Sequence, residues 1–152
     1  MHQHVNSPFE KIDELLEEYS LPQKGTSVED TVHAILVDWH CEATSEKLVM
    51  GWYLDGRVSA VLGTHTHIPT ADERILPKGT ALQADVGMVG SHNSILGVQV
   101  EPNIKRFLLQ TPVKLLVDEG SPVDVNATLV SIDPQTGLAI AIKRLQETVD
   151  ID

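Results

Sequence analysis

Two of the chain's seven histidines stand one residue apart, in Gly63-Thr64-His65-Thr66-His67. Imidazole is the commonest protein ligand for borderline divalent metals. The stretch follows the apolar residues 58–62, and a strand ending in Gly-Thr-His-Thr-His would deliver two imidazoles to the rim of a sheet, where α/β proteins bind metals and substrates. On its own, His-x-His describes a polar loop with surface histidines equally well. A third histidine sits in Asp38-Trp39-His40-Cys41-Glu42, at the end of another apolar run.

The elements around these residues decide whether they meet. Residues 33–39 (His-Ala-Ile-Leu-Val-Asp-Trp) read as a strand covered on both faces. A helix is expected from about Thr44, capped by Thr44 or Ser45 and stopped at Asp55-Gly56. The strand 58–62 follows. A strand–helix–strand unit of about 30 residues predicts parallel strands with a right-handed crossover. Parallel strands end on one edge, so His40, His65 and His67 should emerge on the same side. Three converging histidines make a better metal site than either motif alone.

Upstream, Ser7-Pro8-Phe9-Glu10 predicts a helix start with a capping box, and Phe9, Ile12, Leu15, Leu16 and Tyr19 recur at helical spacing. Pro22 and Gly25 should keep this helix from continuing. His2 and His4 are expected at a frayed end. Downstream, residues 68–79 read as a polar loop, 80–84 as a short strand, 87–97 as a Gly/Ser/Asn-rich loop, and 101–109 as a short helix. Residues 113–117, 123–132 and 137–143 read as antiparallel strands with a hairpin turn at Asp133-Pro134-Gln135-Thr136-Gly137, and 147–152 as a frayed acidic end.

Composition narrows the function. The chain has 152 residues, enough for about one domain with a proper core. Its formal net charge of −11 argues against a general nucleic-acid or anionic-membrane binder. An anionic substrate would then need neutralising by something other than Lys and Arg, and a metal would serve. No apolar run approaches the ~20 residues of a membrane span. Met1-His2-Gln3-His4-Val5-Asn6 has no basic region followed by an apolar core, and the single cysteine, Cys41, fits a reducing compartment, so a cytoplasmic location is expected. Adjacency of Cys41 and His40 does not make a nucleophile–base pair, and no Gly-x-Ser-x-Gly elbow occurs.

A longer pattern runs through the chain. Asp38-Trp39-His40-Cys41-Glu42-Ala43-Thr44-Ser45-Glu46-Lys47, Gly51-Trp52-Tyr53-Leu54-Asp55-Gly56, Gly63-Thr64-His65-Thr66-His67, Thr70-Ala71-Asp72-Glu73-Arg74-Ile75-Leu76-Pro77 and Asp85-Val86-Gly87-Met88 resemble the YmdB-like family of calcineurin-type metallophosphoesterases. The resemblance runs from about Pro8 to about Arg144. It implies an α/β fold forming part of a four-layer α/β/β/α sandwich, in which the parallel βαβ unit precedes the antiparallel C-terminal strands. It also implies phosphodiester hydrolysis, with 2′,3′-cyclic nucleotides as a substrate class. His40 and His65 would ligate one metal and His67 the other, the ions being iron or manganese, with zinc or magnesium as alternatives. Two such ions clamp a phosphate and activate a water between them. Asp38 and Asp85 at the strand ends, with Thr64 and Thr66 between the histidines, are candidates to brace the ligands or line the pocket. Asp72 and Arg74 could shape the pocket, and His92 could touch substrate.

Members of that family are considerably longer, and this chain looks like their C-terminal portion. The resemblance assigns a metal-binding Asp, a bridging Glu, an Asn ligand and the general-acid His to a preceding portion. Cys41 stands where the family usually has alanine. Three histidines without a bridging carboxylate suit one zinc-like ion better than two. The expectation is therefore a single, N-terminally truncated or split domain over residues 1–152, with an exposed apolar sheet edge. Either it is a metal-dependent phosphodiesterase, or it is a catalytically incompetent half. Such a half would bind at most one metal and need a complementing N-terminal chain or a second copy.

Overall fold

The computed structural model describes residues 6–22 and 32–151, so His2, His4 and Gly25 lie outside the described residues. Helix α1 spans Pro8–Glu18, with Ser7 at its N-cap and Pro8 in its first turn. The Ser7 side chain makes no cap hydrogen bond, so the expected capping box is not formed. Strand β1 spans Leu36–His40 and helix α2 spans Thr44–Tyr53. The α2 N-cap is Ala43, not Thr44 or Ser45, because the Lys47 amide already bonds to the Ala43 carbonyl. Strand β2, Ala60–Thr64, starts two residues later than expected. The amides of Ser59 and Ala60 both donate to the Ile35 carbonyl, and regular pairing begins just beyond. β1 and β2 are parallel, in register from Leu36↔Ala60 to His40↔Thr64.

The expected loop 68–79 contains a two-residue strand, β3 (Arg74–Ile75), antiparallel to β4 (Ala81–Gln83). β4 runs parallel to β2, completing a sheet of order β1-β2-β4-β3. The expected Gly-rich loop likewise contains β5 (Val89–Ser91), which precedes helix α3 (Val100–Leu109). β6 (Val123–Ile132) and β7 (Ala139–Val149) form the expected hairpin, and β5 joins them in an antiparallel sheet of order β5-β6-β7. Two expectations fail here. Residues 113–117 are not a strand, since only Val117 makes a bridge, to Val98. The acidic end is not frayed through 149, because Glu147 pairs with Val125 and Thr148 with Asp124. A paired partner strand overrides the local charge that suggested fraying.

One face of the four-stranded sheet carries the main core. Met50 and Leu54 pack there with Val58, Val61, Leu76 and Leu82, and Phe9, Ile12 and Leu16 of α1 close over them. The other face meets the second sheet through Ala60, Ala81 and Ala139, with Leu62, Val130 and Ile142 around them. Small residues there let two sheets approach. The described residues thus stack as helices, sheet and sheet, a mixed α/β architecture with one largely parallel and one antiparallel sheet. β1 is not covered on both faces as its apolar run suggested. Its residues alternate between exposed and half-buried, and Leu36 is 60% exposed. The second sheet packs over β2, β3 and β4, which leaves one face of β1 open.

Candidate metal centre

The parallel register sets Thr64 beside His40 at the ends of β1 and β2. The Thr64 hydroxyl lies 3.2 Å from Asp38 Oδ1, to which it donates, and 3.0 Å from His40 Nδ1. A hydroxyl has one proton, so with that proton on Asp38 it accepts from His40 Nδ1–H. This leaves the lone pair on His40 Nε2. That atom stands 3.3 Å from His65 Nδ1, with the two rings edge to face.

The turn after β2 is strained. His65 has φ 145° and His67 φ 68°, both unfavourable for residues with a Cβ. Asp85, just after β4, holds this turn. Its Oδ2 accepts from the Thr66 amide at 2.8 Å and from Lys47 Nζ at 2.8 Å, while Oδ1 accepts from the Gly87 amide at 3.0 Å. The Lys47 and Asp85 side chains are 3% and 1% exposed. Burial pushes the Asp85 carboxyl upward, but Lys47 and the amides of Thr66 and Gly87 outweigh it and hold the group below the usual carboxylate range. Gly63 has to be glycine. A Cβ there would lie 1.9 Å from the Ala84 carbonyl oxygen, so a side chain would force β2 and β4 apart where the turn begins.

His67 is oriented from elsewhere. Its Nδ1 lies 3.1 Å from the Leu96 carbonyl, which can only accept, so Nε2 carries the free lone pair. Leu96 (φ 54°) and Gly97 (φ 86°) form the turn that presents this carbonyl.

His40, His65, Thr66 and His67 are all exposed, so the rim is open to solutes. Two ligand nitrogens at about 2.0–2.1 Å from a tetrahedral ion stand about 3.3 Å apart. The His40–His65 pair therefore fits one ion as two of its ligands. His67 does not join them, and among the described residues no three His, Cys, Asp or Glu side chains gather closely enough to hold an ion.

The remaining candidates take other parts. Asp38 acts on His40 through Thr64, and Asp85 acts on the turn rather than on an imidazole. Thr66 contributes its amide, whereas its hydroxyl closes a local turn onto the Ile68 carbonyl. Asp72 braces the loop by accepting from the Ala84 amide, and Arg74 is exposed on β3. His92 pairs with Asp124 on β6, which also accepts from Thr148. Burial, followed by the Glu46 charge, pushes the Cys41 thiol up, disfavouring the thiolate a nucleophile needs. Sequence reasoning passed over Lys47. The signal was there: Lys47, Met50, Gly51 and Leu54 recur at helical spacing and are all buried, so the lysine lies on the apolar face.

The chain is similar to known proteins along nearly its whole length. The chain is 49% identical over 141 residues to the 2′,3′-cyclic-nucleotide 2′-phosphodiesterase of Bacillus subtilis (strain 168), an alignment covering 93% of this chain and 50% of that protein. The chain thus spans about half the length of this curated relative. A crystal structure of a hypothetical protein from Thermus thermophilus superposes with a TM-score of 0.81 at 41% identity, covering 97% of this chain and 53% of that one. A crystal structure of a novel phosphatase from Mycoplasma pneumoniae superposes with a TM-score of 0.80 at 31% identity, covering 95% of this chain and 48% of that one. The family described as YmdB-like protein matches residues 1–145, and the chain belongs to it.

Proposed function

We propose that this chain carries the histidine side of a metal-dependent phosphodiesterase site, with His40 and His65 on one divalent ion and His67 on a second. The observation that carries the reading is the 3.3 Å approach of His40 Nε2 to His65 Nδ1, with the His40 tautomer set by Thr64 and Asp38. The family resemblance implies iron or manganese, with zinc or magnesium as alternatives. Imidazole by itself suits iron and zinc, while manganese and magnesium prefer oxygen ligands. Divalent ions at such a site supply Lewis-acid stabilisation of phosphate charge and a water of lowered pKa. The chain's own residues prepare the ligands. Thr64 and the Leu96 carbonyl hold protons on Nδ1 of His40 and His67, leaving both Nε2 lone pairs to bind. The open rim admits a small phosphodiester, and the Bacillus relative's name points to 2′,3′-cyclic nucleotides as the substrate class. The four-layer sandwich and a cytoplasmic location belong to the same reading.

A second reading is favoured by one observation: among the described residues no third ligand joins His40 and His65. On it, the chain binds at most one ion and becomes active only with a complementing chain or a second copy. Hydrolysis of bis(p-nitrophenyl) phosphate with added manganese separates the two. Turnover that is abolished in His65→Ala and by chelator supports the first. A folded chain without turnover, which gains it when mixed with the other half of a relative, supports the second. Turnover that survives chelator sinks both.

A further inference from the structure

The buried ion pair between Lys47 of α2 and Asp85, just after β4, has no ligand role in the site above, yet it bonds directly to the histidine turn. We propose that Lys47 and Asp85 are positioning residues whose task is to hold the Thr66 amide, and with it the strained conformations of His65 and His67. This rests on the metal-site reading.

The bland account is that the pair fastens α2 to the sheet. Three observations favour positioning. First, α2 is already fastened by Met50, Leu54 and Leu82, and a buried ion pair is a poor source of stability compared with an apolar pair of similar volume. Second, Asp85 does not spend its oxygens on Lys47 alone. It shares Oδ2 with the amide of Thr66, the residue between two histidines of positive φ, and gives Oδ1 to Gly87. Strained backbone persists only where its surroundings over-determine it, and this carboxylate supplies that constraint. Third, the Asp85 backbone is itself tied, through Gln83 of β4, to the second sheet. Gln83, fully buried, donates from Nε2 to the Asp85 and Thr70 carbonyls at 2.9 and 3.1 Å, while its Oε1 accepts from Thr128 of β6. Thr70 in turn accepts from the Asp85 amide at 2.8 Å. Asp85 is thus held by its carboxylate from α2 and by its backbone carbonyl, through Gln83, from β6. Lys47 keeps it charged, and a charged acceptor holds an amide more strongly than a neutral one.

The discriminating variant is Lys47→Met combined with Asp85→Leu. It removes both charges together, so no buried charge is left unpaired, but it also removes the acceptor for Thr66. Two readouts are taken on the intact chain: hydrogen exchange of the Thr66 amide in the metal-free protein, and cobalt(II) affinity from the visible absorption spectrum. The expected result is a cooperatively folded protein in which Thr66 exchange accelerates at least about tenfold and cobalt affinity falls about 10–100-fold, the usual cost of losing a ligand's support. Lys47→Arg, which keeps the charge, should retain most of both. If the double variant does not melt cooperatively, Asp85→Asn keeps the side-chain volume and a neutral acceptor, and should show the same losses in smaller measure. Unchanged Thr66 protection and unchanged cobalt affinity in the folded variant would overturn the proposal. A wild-type chain that binds no cobalt would sink the metal reading, while Thr66 exchange would still decide whether the pair holds the turn.

Discussion

Helices α2 and α3 are both ten residues long, and both carry apolar residues at helical spacing. Their fates differ. α2 buries Lys47, Met50 and Gly51 against the sheet, with Gly51 allowing Leu82 to pack close. α3 buries only Asn103 and leaves Phe107 and Leu108 76% and 77% exposed. An apolar stripe becomes core only where a sheet stands beneath it. The informative residue on a helix is then the polar one on the buried face, because burial without a partner would be costly. On α2 that residue is Lys47, and it leads to the histidine turn.

The contrast can be broken at several points. The largest effect is expected for Lys47→Met alone, which leaves Asp85 buried without its cation and should cost about 3–5 kcal/mol in urea unfolding. Adding Asp85→Leu should recover most of that loss. A pH series sharpens the point. The folded Asp85 carboxyl titrates below its unfolded value of about 3.9, so its stabilisation is fully present above that pH and is lost as pH falls through the lower folded value. The stability gap between wild type and Asp85→Asn should therefore be constant near neutrality and narrow below about pH 4. Gly63→Ala should cost about 1–3 kcal/mol by denaturant melt, since the new methyl meets backbone rather than a movable side chain. His65→Gly should stabilise the fold by about 1 kcal/mol, because it relieves a strained φ, while abolishing the cobalt spectrum. Phe107→Ser on α3 is the smallest, within about 0.5 kcal/mol. A loss well above that would mean α3 packs against a second copy in solution, which sedimentation would check.

Much of the site was legible before the fold. Periodicity and Gly/Pro punctuation placed a strand, a helix and a strand, and that order alone requires parallel pairing and a shared edge for His40 and His65. The hairpin at residues 133–137 followed from its turn residues, and the Gly137 amide bonds back to Asp133. What failed was short or context-bound. β3 and β5 have two and three residues, too few for any period to show, and exist because β4 and β6 offer them an edge. Residues 113–117 have strand-like composition but make only one bridge. Composition records what a residue tolerates, not whether a partner is present.

The sequence by itself determined the residue types of the site, the parallel unit that carries them, and the family to which they belong. Local pattern suffices there because a strand–helix–strand unit has essentially one way to pack. The family resemblance had already grouped His40 with His65 and set His67 apart. Only the tertiary structure supplied the contacts, the 3.3 Å approach of His40 to His65 and the bond of His67 to the Leu96 carbonyl. It alone revealed that Asp85 holds the turn through Thr66 and that Lys47 holds Asp85. Those contacts join residues 19 and 38 positions apart, and hydrogen-bond geometry at that separation is set by how layers stack rather than by neighbours along the chain.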